Sequence, residues 1–141
     1  MGPQDCSVHK LVADVCILAE GQVLLVRYQD VRKYDGQTGW FLPDDFLEYE
    51  EHPDEAAARI LRQQAGVSGE AASLSHIESF GNGGWHLVFH YKMEWEKLRP
   101  VPVLGNVKTA QWFLLSELPE REQVGHLGWA LKTIRRVVSG A

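Results

Sequence analysis

The sequence predicts a mixed α/β domain in which helices cover one central sheet. Three observations carry that expectation: paired apolar runs joined by glycine-containing turns, a helix with start and stop signals over 53–65, and an amphipathic repeat near the C-terminus. At 141 residues the chain suits a single domain, 1–141, because domains cluster at about 100–150 residues. Residues 1–9 are expected as a flexible tail, and no repeat or low-complexity segment interrupts the rest.

The first elements lie in LVADVCILAEGQVLLVRYQ, two apolar runs separated by Glu20, Gly21 and Gln22, which is a hairpin signal. VLLV is apolar at every position, so both faces of its strand are expected to be covered. DVRKYDGQTG has no periodicity and reads as a loop, WFLP as a short strand ended by Pro43, and PDDFLEYEEHPDE as an acidic loop. Pro53 then suits a first helical turn, Asp54 and Glu55 suit the positive end of the helix dipole, and Gly66 suits the left-handed position after the last turn. A helix from Pro53 to Ala65 follows. SLSHIESFGNGGWHLVFHYKMEW reads as a second hairpin turning at Asn82, Gly83 and Gly84. In its return strand Trp85, Leu87, Phe89, Tyr91, Met93 and Trp95 are expected on the core face, with His86, Val88, His90, Lys92 and Glu94 on a mostly polar face. LRPVPVLGN is a stiff connection and VKTAQWFLLSELPE a further strand and turn; Leu127, Leu131, Ile134 and Val138 then recur at helical spacing and predict a closing amphipathic helix.

Composition excludes several functions. No run approaches the ~18 apolar residues of a membrane helix, and the N-terminus lacks the basic start and apolar stretch of a secretory signal, so the cytoplasm is the expected compartment. Cys6 and Cys16 are too few for a disulfide scaffold, and Cys16, inside an apolar run, reads as core. The formal net charge of -5 argues against a nucleic-acid partner, which calls for clustered Lys and Arg.

The helix EAAARILRQQAGV poses a chemical question. Ile60, Gln63 and Gln64 share one face, and that face is uncharged although the loop before it is densely acidic. The segment resembles the signature of the Nudix family, G-x5-E-x7-R-E-U-x-E-E-x-G-U with U aliphatic. Gly66 and Val67 match its close, Leu61 the aliphatic position, Arg59 the arginine and Glu51 the first glutamate, with no gap. GWFLP and TAQWFLLSELP resemble flanking strands of the family, so the likeness runs from Lys10 to Pro119.

The resemblance implies a Nudix-type α/β/α sandwich with a mixed central sheet, and hydrolysis of nucleoside diphosphate derivatives with Mg or Mn held by helix glutamates. Here those glutamate positions are Ile60, Gln63 and Gln64, and the opening glycine is Asp45, preceded by Asp44. Two expectations follow. In the first the domain is catalytically impaired, uses no cofactor, and binds a nucleotide or other diphosphate-containing molecule; in the second it is an active hydrolase. The active reading places its Mg or Mn on Asp44, Asp45 and Glu51 and draws a catalytic base from Glu48, Glu50 or Glu51. Arg27, Tyr34, Trp40, Phe46, His86 and His90 are the ligand-binding candidates that the resemblance sets around the family's cleft. A third expectation is an interaction module that forms a homodimer. A zinc reading of His76, His86 and His90 is disfavoured: His86 and His90 are about 13 Å apart along a strand, and whether His76 faces His90 depends on the strand register.

Overall fold

The computed structural model of the chain describes residues 10–81 and 84–140; the expected tail at 1–9, Cys6 and the turn residues Asn82 and Gly83 lie outside them. Six strands form one mixed sheet: β1 (Lys10–Ala19), β2 (Gln22–Tyr28), β3 (Asp44–Phe46), β4 (Ser73–Gly81), β5 (Trp85–Trp95) and β6 (Val107–Leu114). Their order is β4-β5-β1-β2-β6, with β3 pairing β1 beside that path. β1 runs parallel to β5 over its whole length, and the other pairs are antiparallel.

Helix α1 (Pro53–Ala65) has the predicted limits. His52 accepts from the Asp54 amide while the Glu55 carboxylate accepts from the His52 amide, closing the N-terminal turn, and Gly66 takes the left-handed conformation after the last one. Ala56, Ile60 and Leu61 pack on Ala13, Val15, Ile17, Tyr91 and Met93 from one face of the sheet. On the opposite face Ile134 and Val137 of α2 (Gly125–Ser139) meet Cys16, Val23 and Leu25. The result is an α/β/α sandwich, and Val23 to Val26 have no exposed surface, as a strand covered on both sides requires. Among the described residues no helix is long and apolar enough to cross a membrane.

Three local expectations need correction. WFLP is not a strand of its own: β1 and β2 pair directly only near their shared turn, and residues 40–43 wedge into the opening. Phe41 exchanges two 2.9 Å backbone hydrogen bonds with Val26, and Pro43, which has no N–H to give, accepts from Val15 at 3.0 Å. The strand begins after the proline, where Asp44 to Phe46 pair with Val12 to Asp14, so part of the acidic loop is extended by backbone pairing.

In β5 the predicted core face holds only toward the C-terminal end. Tyr91, Met93 and Trp95 are buried, but Trp85 is 46% exposed while Val88 and His90 on the supposed polar face are buried, because the second helix layer covers that face. The closing helix also turns differently. His126, Leu127 and Gly128 all have positive φ, so the regular helix starts after them; Ile134 is buried and Leu131 packs beside it as expected, but Leu127 and Val138 are exposed and Thr133 and Val137 are buried in their place.

Candidate functional site

A cavity of about 450 Å³ lies between the sheet and the start of α2, a size ordinary for small-molecule sites. Its sheet side is formed by Val12 and Asp14 of β1, Glu78 and Phe80 of β4, and His86 and Val88 of β5. Tyr34, Phe41, Asp44 and Phe46 contribute one wall, and Gly125, His126, Trp129 and Thr133 the other. The backbone of that second wall is unusual: φ is 54° at His126 and Leu127 and 88° at Gly128. Left-handed non-glycine residues cost on the order of 1 kcal/mol each, and here tertiary hydrogen bonds hold them. The His126 amide donates to Gln37 Oε1 at 3.1 Å, and the Gly125 amide to the Trp40 carbonyl at 2.9 Å. A Cβ on Gly125 would lie 2.4 Å from the Phe41 ring, so only glycine lets the wall approach this closely.

One end of the cavity is aromatic. Phe80 stacks on His86 with ring centroids 5.0 Å apart, and Trp129 stands edge-on to Phe80 at 5.3 Å and to His126 at 5.9 Å. The other end is charged, with Asp14, Asp44 and Asp45 beside Lys33, while Glu78, Lys10 and Lys132 add charge nearer the aromatic rings. Lys33 pairs with Asp45 at 2.7 Å. Enclosure, followed by the charges of Asp14 and Asp45, holds the Asp44 carboxyl well above the usual carboxylate range.

Directly beneath this end lies a buried histidine between two carboxylates. His90, with no exposed surface, places Nδ1 2.8 and 3.0 Å from the two Asp14 oxygens and Nε2 2.7 Å from Glu78 Oε1. Burial alone would lower its pKa, but the Asp14 and Glu78 bonds outweigh it and hold the ring above the ordinary histidine value. His76 lies beside it with ring centroids 4.5 Å apart, and burial followed by the His90 charge pushes that neighbour the opposite way, downward.

Behind the acidic end, Arg59 anchors the loop to α1. Its guanidinium donates to both Glu51 oxygens at 2.9 Å, to Asp45 Oδ2 at 3.0 Å and to the Phe46 carbonyl at 2.8 Å. Ile60 is fully buried and Gln63 exposed. The Gln64 amide uses both ends inside the protein, accepting from Tyr28 Oη at 2.7 Å and donating to the Asp44 carbonyl at 2.8 Å. Tyr34, stacked on Tyr28 at 4.1 Å, donates to the same carbonyl.

The sequence profile of the NUDIX domain matches residues 8–131, most of the chain and all of the site just described except Lys132 and Thr133. The protein belongs to the Nudix family. No curated protein matches the Nudix chain in sequence. Among solved structures, a MutT NUDIX hydrolase from Burkholderia pseudomallei superposes with a TM-score of 0.71 at 17% identity, covering 94% of this chain and 98% of that one. The NUDIX domain of Shewanella oneidensis NrtR, complexed with ADP ribose, gives 0.71 at 16% identity over 96% and 92% of the two chains. An Ap4A hydrolase from C. elegans gives 0.68 at 14% identity over 94% and 99%. At such identities the superpositions show a common fold.

Within the Nudix domain the sequence-derived candidates separate into groups. Tyr34, Phe46 and His86 line the cavity together with Asp44 and Asp45, and His90 lies under its acidic end. Trp40 is buried against Phe113, with the Arg27 guanidinium 4.3 Å over its ring; neither residue is part of the cavity lining. Glu48 and Glu50 are exposed, and Glu51 is committed to Arg59. Sequence reasoning missed Asp14, Glu78, Phe80, His126 and Trp129. Asp14 did leave a signal, as the one charge inside the otherwise apolar run LVADVCIL, where a carboxylate needs a partner.

Proposed function

We propose that this Nudix domain, a single domain over 1–141 acting in the cytoplasm, binds a nucleotide-like, diphosphate-containing small molecule in the cavity beside α2 and lacks the metal-dependent hydrolysis that the family resemblance implies. The observation that carries the reading is the state of Ile60 and Gln64: one is packed into the core and the other has both amide ends engaged. Mg and Mn take hard oxygen ligands, mostly carboxylates, so the ion implied by the family does not fit the helix residues present. The cavity supports binding on separate grounds. Phe80 and Trp129 offer ring faces and edges to a planar base, while Lys10, Lys33 and Lys132 supply cations for a phosphate group.

ADP-ribose is the first ligand to try, since a NUDIX domain of the same fold has been seen complexed with it. Calorimetry is expected to give one saturable site per chain, with Trp129→Ala and Phe80→Ala each weakening it by about tenfold, the value of roughly one stacking contact. An assay for AMP release with Mg or Mn is expected to show no turnover. The competing reading is hydrolysis with a cation on Asp44, Asp45 and Glu51 and a base from Glu48, Glu50 or Glu51; turnover in the unmodified protein would establish it. Against that reading stands Arg59, whose hydrogen bonds already occupy Asp45 and Glu51.

A further inference from the structure

We propose that His76, Glu78 and His90 form a binding site for a divalent transition-metal ion of the Zn type, remote from the signature helix and open on the cavity side. Their ligand atoms all lie within 4.8 Å of one another, and among the described residues no other group of His, Cys, Asp and Glu comes together in this way. A zinc ion bound at ~2.1 Å sets its ligand atoms about 3.4 Å apart in a tetrahedron, so closing the site takes side-chain movements of order 1 Å. Two imidazoles and one carboxylate are a common donor set for a zinc ion that keeps its fourth position open.

The strand register creates the cluster. Leu74 pairs with Tyr91, whose face is covered by α1, and simple alternation would put His76, two residues on, on that same face. An irregularity between Leu74 and His76 takes up one extra residue, so that His76 stands opposite His90, and Glu78 and Phe80 follow onto the cavity side. Each ligand is then oriented by a neighbour. Ser75 Oγ lies 2.9 Å from His76 Nδ1, and Trp129 Nε1 lies 3.4 Å from Glu78 Oε1.

Asp14 gives His90 the arrangement usual for a metal-bound imidazole: a carboxylate accepting from Nδ1–H while Nε2 faces the ion. On binding, the Nε2 contact with Glu78 is exchanged for two bonds to the metal, and any proton carried there passes to solvent. Asp14 is thus a positioning residue. Of the three ligands Glu78 lines the cavity, which gives the ion its approach. The site does not depend on whether the cavity takes a nucleotide, because the probe that tests it is the metal alone.

The experiment is calorimetry of the full, chelator-treated chain with Zn²⁺, with Co²⁺ as a spectroscopic substitute whose visible absorption reports tetrahedral nitrogen and oxygen ligation. One ion per chain is expected at micromolar concentration, with Mg²⁺ in excess failing to displace it. His76→Ala and Glu78→Gln, both at partly exposed positions of edge strand β4, should keep their circular dichroism and lose stoichiometric binding. Asp14→Asn should keep the Co²⁺ spectrum and bind about 10- to 100-fold more weakly. A Cys6→Ala/His9→Ala variant should bind as the parent does. Absence of binding at micromolar Zn²⁺, survival of binding in folded His76→Ala, or its loss in Cys6→Ala/His9→Ala would each overturn the proposal.

Discussion

At the scale of single residues, the signature helix carries its identity in what it buries. Ile60 is enclosed by the sheet with no exposed surface, so Ile60→Glu would set an isolated carboxylate in the core. The expected cost is on the order of 3 kcal/mol or more, read as a lower urea midpoint, so reinstating a glutamate there would weaken the fold. Glu51 and Arg59 make the opposite case, a charge that the fold satisfies. The Arg59 hydrogen bonds hold the Glu51 carboxyl below its ordinary value, against a smaller opposing effect of burial. Since the folded pKa lies below that of the unfolded chain, about 4.3, the stabilisation is complete above that value and is lost as pH falls through the lowered folded one. Glu51→Gln should therefore be less stable than the parent at pH 7, and the difference should shrink as acid unfolding curves are taken towards pH 3.

At the scale of elements, the wall before α2 combines left-handed backbone with close packing. Gly125→Ala would press a methyl group onto the buried Phe41 ring, and overpacking of this kind costs about 1–3 kcal/mol. Chemical denaturation should show that loss for Gly125→Ala and almost none for Leu127→Ala, whose side chain is 70% exposed. If the two variants behave alike, the wall is not held against Phe41 as described. β3 shows how an element can contradict its composition. Asp44 and Asp45 have poor strand propensity, yet their backbones complete β1 where β2 diverges from it; Gln64 and Tyr34 donate to the Asp44 carbonyl and the Asp44 amide donates to Tyr28 Oη, which holds them there.

At the scale of the whole molecule, local signals were legible and long-range ones were not. The hairpin of β1 and β2 and both ends of α1 could be read directly, because Gly21, Pro53, Asp54 and Gly66 act on their immediate neighbours. The sandwich and the family followed from Glu51, Arg59, Leu61 and Gly66 at their spacing. The cavity was only half legible. Tyr34, Phe46 and His86 belong to it, but Trp129 arrives from the far end of the chain and Glu78 owes its position to an irregular register that no local pattern announces. Binding of ADP-ribose at a hundred times its dissociation constant should add about 2.7 kcal/mol to stability, so a rise in the thermal midpoint that is absent in Trp129→Ala would tie that distant residue to the site.

The parallel pairing of β1 with β5 also bears on how the protein forms. Asp14 and His90 are 76 positions apart, and every rung between these two central strands spans the same separation. A nascent chain must therefore release almost a hundred residues before the middle of its sheet can close, and the entropy of drawing so long a loop together is spent before any of those contacts is gained. Folding in milliseconds to seconds is expected, slower than for helical domains of this size, and stopped-flow Trp fluorescence would register it. Until that closure, the edge of β1 that receives β5 stays unpaired, so the interval during synthesis is when this chain is most exposed to aggregation.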